Sequence, residues 1–160
     1  MHDQSLKQPS ETEITVSDND FNVADEYEAI IRNNSSDGAV VFFVGLVRDF
    51  NQGQNINELT LEHYPAMVER TLNNIVEQAR SRWQLGRIRL IHRVGTLKVN
   101  DQIVLVAVSS PHRQSSFDAA QFIMDYLKTE APFWKKEKTN EGEHWVSDNQ
   151  KDHKARKRWQ

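Results

Sequence analysis

Apolar positions recur along the chain with two periods, and the changes of period mark its elements. Val68, Leu72, Ile75, Val76, Ala79 and Trp83 fall on one stripe at helical spacing, opposite Glu69, Arg70, Asn73, Glu77 and Arg80. The pattern predicts an amphipathic helix over a sheet, with Pro65 in its first turn, Gly86 at its close and the charged side solvated. A second helix is predicted from Ser115 or Ser116, either of which supplies an N-cap hydroxyl, to about Thr129. It ends there because Pro132 biases Ala131 away from helical geometry. Phe117, Ala120, Met124 and Leu127 form one of its stripes, and Ala119, Phe122, Ile123 and Tyr126 fill much of the other side, so it is wrapped on most faces. A shorter helix capped by Asp20 or Asn22 carries Val23, Tyr27, Ile30 and Ile31.

Strands account for most of the remainder. The run AVVFFVGLVRD, Ala39 to Asp49, is β-branched and aromatic and ends in the charged residue Arg48. Residues 87–94 alternate apolar and charged positions, and IVLVAVSS is a further strand. Shorter strands are expected at Ile14 to Val16 and Glu58 to His63. Pro132 to Thr139 reads as an edge strand, joined by a turn at Glu141-Gly142 to a short return strand from His144 to Val146. Phe50 to Asn57 reads as a flexible loop, and Gly95 to Asp101 as a connection with a turn at Asn100-Asp101. Two long helices against mainly antiparallel strands define an α+β fold.

Composition narrows the function. With 160 residues the chain suits one domain. A net charge of -3 and a pI near 6.1 argue against a dedicated nucleic-acid binder. The absence of cysteine excludes disulfides, thiolate metal sites and cysteine nucleophiles. The N-terminus has no apolar signal core and no run reaches the length of a membrane span, so a cytoplasmic protein is expected. The domain is expected to cover 13–147, between a mobile N-terminal tail, 1–12, and a polar, basic tail, 148–160, read as a solvated terminus. Walker, GxGxxG, HExxH and GxSxG motifs are absent, and the histidines are scattered without ligand spacing.

The candidate chemistry gathers between Ser109 and Lys136. Pro111-His112-Arg113 places an imidazole and a guanidinium at a helix N-terminus, an arrangement suited to phosphate or carboxylate, although a surface turn with incidental charges has the same sequence. Lys128 and Lys135 lie on either side of the Pro132 bend, where folding back would bring both amines to one pocket; two snorkelling surface lysines are the alternative. Lys128 in a last helical turn is favoured by the helix dipole, while partial burial opposes its charge.

The blocks LTLEHYPAM, IHRVGTL, SSPHR and FIMDYLKTEAPFWKKE, four separate blocks in the right order along the chain, resemble the large, catalytic subunit of molybdopterin synthase over about Phe21 to Val146. The resemblance implies an α+β subunit with an α/β-hammerhead-like part and a smaller β subdomain. It implies a homodimer with a small ubiquitin-like sulfur carrier at each end, making a heterotetramer. The activity implied is that of a sulfurtransferase acting on cyclic pyranopterin monophosphate, with sulfur drawn from the carrier's C-terminal thiocarboxylate. By the same resemblance Lys128 and Lys135 match the catalytic lysines, Arg48, His112 and Arg113 the anion-binding residues, and Phe43 and Met124 the pocket lining, so both amines are expected to share a single enclosed cavity with His112 and Arg113. Lys128, as the more enclosed amine, would serve as acid or base or form a transient covalent bond. No cofactor, metal, nucleic acid or membrane is expected, molybdenum being inserted downstream. Leu46 stands where relatives often have lysine, and Asn149 stands near a place often held by arginine, with Lys151 close by. Two other readings have a sequence basis: a non-catalytic module that binds a ubiquitin-like tail, and a nucleic-acid-binding domain using Arg113, Lys135, Lys136 and the basic tail.

Overall fold

In the computed structural model, residues 11–51, 54–146 and 150–160 are described. In chain order the elements are β1 (Thr12–Ser17), α1 (Val23–Ile31), β2 (Ala39–Leu46), β3 (Phe50–Asn51), β4 (Gln54–His63), α2 (Pro65–Arg82), β5 (Ile88–Arg93), β6 (Gly95–Lys98), β7 (Gln102–Ser110), α3 (Arg113–Glu130), β8 (Phe133–Thr139), β9 (Gly142–Trp145) and α4 (Gln150–Lys157). The fold is α+β.

The first sheet has the order β1-β5-β7-β2, parallel only between β1 and β5. Period-two alternation sends Ile88, Leu90, Val104, Val106 and Val108 to one face, where the buried stripes of α2 and α3 cover them. Ile91, Leu105 and Ala107 point the other way, onto Ile30 of α1. In the second sheet β4 lies between β6 and β8, and β9 extends β8 outward. Its small core of Val47, Leu61 and Leu97 meets the main core through Ile103 and Phe133, which pack against both. That joint lies where α3 ends and β8 begins.

Several expectations are corrected. Helix α3 begins at Arg113 with His112 at the N-cap and no side-chain cap bond, because Ser116 is buried and gives its hydroxyl to the Arg113 carbonyl at 2.9 Å. Part of the supposed loop at 50–57 is a ladder, Phe50 opposite Asn55 and Asn51 opposite Gln54, while residues 52–53 lie outside the described ones. The connection after Val94 contains β6, four residues made a strand by pairing with β4. β8 is not an edge, since β4 and β9 flank it. Helix α2 stops at Arg82 with Trp83 as its C-cap, ahead of Gly86. Gly86 instead lies under Asp37 and Ser109, where a Cβ has no room. Arg80 is not solvated: it donates to Thr12 Oγ1 and the Leu85 carbonyl, and burial lowers its pKa.

The chain's end is packed rather than free. Trp159 sits edge-on to Trp83 and Phe122, with centroids 5.6 and 5.5 Å away, and its Nε1 donates to Asp125 Oδ2 at 2.7 Å. Arg156 pairs with Glu130 at 3.0 Å. No helix among the described residues is long and apolar enough to cross a membrane.

Candidate active site

Helix α3 returns along β7, so its last turn comes back to the end of the sheet where β7 starts and β2 finishes. Lys128 sits in that turn, among the carbonyls of the helix C-terminus that favour a cation. After the Pro132 bend, β8 is fixed by its register on β4, with Lys135 opposite Leu61. Both amines lie near one buried side chain, His92 of β5, which is opposite Val104 and 6% exposed. Burial pushes the imidazole pKa down to about 4; the contact of Nδ1 with the Arg93 carbonyl, 2.8 Å away, works against this, and the charges of Lys135, Lys128 and His63 reinforce it. The ring stacks on Phe133 at 4.2 Å between centroids.

Both lysines are therefore within electrostatic reach of one buried ring, with their enclosure the reverse of that expected. Lys128 is exposed in the single chain and Lys135 is half-buried. Arg48 follows β2 at the same end of the sheet, on a segment tied by Val47 N to the Asp101 carbonyl at 3.0 Å and by Asn100 N to the Val47 carbonyl at 2.7 Å. Phe43 shares the α3-facing side of β2 with Val41, and its ring edge lies over Gly45, where a Cβ would crowd it. Met124, one turn before Lys128, is buried in α3.

His112 and Arg113 are elsewhere. They are exposed at the start of α3, and the 15 residues from Arg113 to Lys128 span about 22 Å at ~1.5 Å per residue. One chain does not bring them to the lysines. Asn149 lies outside the described residues. An open hollow of about 390 Å³ lined by Asn57, Glu58, Lys98, Val99 and Lys138 lies against the opposite face of β8 from Lys135, as strand alternation requires.

Sequence reasoning passed over His92. Its signal was parity: Ile88, Leu90 and His92 occupy successive inward positions of one strand, and the third is polar.

Fold and site define an α+β protein that presents paired amines at the joint between a helix and a second sheet. A family model described as MoaE protein matches residues 16–130. The molybdopterin synthase catalytic subunit of Escherichia coli strain K12 is 53% identical over 150 residues, 94% of this chain and 99% of that relative. A solved molybdopterin biosynthesis MoaE protein from Burkholderia ambifaria MC40-6 superposes with a TM-score of 0.80 at 43% identity, covering 93% of this chain and 98% of its own. The complex of subunits 1 and 2 of the Helicobacter pylori 26695 molybdopterin-converting factor shares the fold, with a TM-score of 0.68 at 17% identity over 86% of this chain and 91% of that one. The chain belongs to the MoaE protein family.

Proposed function

We infer that this chain is the catalytic subunit of a molybdopterin synthase, a sulfurtransferase of molybdenum cofactor biosynthesis. It converts cyclic pyranopterin monophosphate to molybdopterin with sulfur from the thiocarboxylated C-terminus of a small ubiquitin-like subunit. The observation that carries this reading is that Lys128 and Lys135, from either side of the α3–β8 joint, both act on the one buried ring of His92 in a chain of this family. Pterin phosphate and thiocarboxylate are both anions, and two amines at one place oppose the repulsion between them. The chain has no cysteine, so the sulfur nucleophile is the partner's.

Each side chain then has a role its position supports. Lys135, the more enclosed amine, offsets charge on phosphate or thiocarboxylate. Lys128, exposed until the carrier's tail covers it, moves the proton as sulfur attacks and the phosphate ring opens. Arg48 holds the phosphate from the same end of the sheet, and Phe43 and Met124 form the apolar wall. His112 and Arg113, too distant from the lysines of their own chain, reach the pocket of a second copy, where the uncapped start of α3 adds its amides to an anion site. A homodimer with a carrier at each end follows, working in the cytoplasm. The test is to mix the protein with thiocarboxylated carrier and the cyclic pterin and to follow dithiolene by mass spectrometry. Product is expected; none, in a mixture that an active synthase can use, refutes the reading.

A further inference from the structure

At the end of the inward stripe Ile88–Leu90–His92, packing alone would be met by another aliphatic side chain. A buried polar ring there needs a reason. The ring is held twice: by its stack on Phe133, two residues before Lys135, and by Nδ1 at 2.8 Å from the Arg93 carbonyl. A carbonyl only accepts, so Nδ1 carries the proton, and Nε2 of the neutral ring is left with its lone pair. The charged and titratable groups facing the ring are Lys135 from β8, Lys128 from α3 and His63 from β4. Two of these are ammonium groups, which donate and never accept.

We propose that His92 is a positioning residue for the lysine pair: it wedges the joint between α3 and β8 through Phe133 and offers Nε2 as a hydrogen-bond acceptor to an ammonium of that pair. An acceptor without charge fixes the amine without the negative charge that a carboxylate would bring to a pocket that must stay attractive to anions. The ring also ties the geometry of β8 to the first sheet, because Phe133 packs on both cores. The inference rests on the reading of Lys128 and Lys135 as the working amines, and its tests are separable from that reading.

The first test uses 15N-labelled full-length protein and needs no turnover. Over about pH 8 to 11, where lysines lose their protons, the His92 Nε2 resonance is expected to shift with the amine it contacts. That shift is expected to vanish in either Lys128→Met or Lys135→Met. A flat Nε2 signal, or a shift surviving in both variants, overturns the proposal even if the enzyme is active.

The second test compares His92→Phe, which keeps a ring on Phe133 but has no acceptor, with His92→Gln, which restores one. An acceptor stabilises the ammonium, so its loss lowers the lysine pKa. The alkaline limb of the rate profile is expected to fall by about one pH unit in His92→Phe, given the usual strength of a hydrogen bond to a charged group, and to return towards wild type in His92→Gln. A folded His92→Phe protein with the wild-type profile reduces His92 to packing and ends the proposal. A wild-type protein that makes no dithiolene while the Nε2 coupling stands would fail the functional reading alone.

Discussion

If His112 and Arg113 serve the pocket of a second copy, two inactive variants should repair each other. Arg113→Ala removes the contributed guanidinium and Lys128→Ala the resident amine, so each homodimer lacks a part in both sites. In a two-fold dimer that mixes both chains, one site collects both defects and the other collects neither. Random pairing of equal amounts makes about half the dimers mixed, and one of two sites in each is intact, so activity should recover to roughly a quarter of wild type. The separation of about 22 Å along α3, at ~1.5 Å per residue between Arg113 and Lys128, is what forbids the same repair within a chain. The assay is dithiolene formation after unfolding and refolding the two variants together, with each variant refolded alone as the baseline. Activity that stays at the sum of the two baselines, in a sample shown by differential tagging to contain mixed dimers, refutes the shared site.

Two further outcomes concern stability. Trp159→Ala removes two edge-on aromatic contacts and a hydrogen bond to the buried Asp125, a loss of about 3 kcal/mol for a partly buried tryptophan; calorimetry should show a melting point lower by about 6 to 12 °C. For His92 the folded state favours the neutral ring, so the unfolded chain takes up the proton first as pH falls. Stability from this group is complete above pH 6.5 and is lost as pH drops towards about 4, a change of roughly 3 kcal/mol; urea titrations across that window should show a decline that His92→Phe makes shallower.

The long-range plan of the fold was legible because burial imprints its period on sequence. The α2 stripe from Val68 to Ala79 is buried throughout, and the alternation of β5 and the apolar run of β7 both became strands. What escaped was structure created by partners distant in the chain. β6 has only four residues and exists because Glu58 to Leu61 pair with it, and β8 became interior because the distant β4 pairs with the side that its hairpin neighbour β9 leaves open. The docked end of the chain was missed for the same reason: a basic tail reads as solvated until Trp159 meets Trp83 and Phe122.

The candidate site divides similarly. Lys128 at a helix end and Lys135 beyond a proline bend were readable as two cations flanking one bend, but local sequence left a shared pocket and two separate surface lysines both open, and only the family resemblance chose the pair. The reversed enclosure was not readable, because the exposure of Lys128 depends on whatever covers the end of α3. The distance of Arg113 from Lys128 was in plain view, as a helix of 18 residues has two ends. His92 was readable only by counting parity along β5.

The central claim is that Lys128 moves a proton during sulfur transfer while Lys135 supplies charge. Single-turnover formation of dithiolene, followed by mass spectrometry in Lys128→Arg and Lys135→Arg, tests it most directly, because arginine keeps the charge and does not give up its proton. The account predicts a rate at least ~100-fold down for Lys128→Arg, the usual worth of general acid–base catalysis, and a far smaller loss for Lys135→Arg. A Lys128→Arg protein that turns over at the wild-type rate contradicts it.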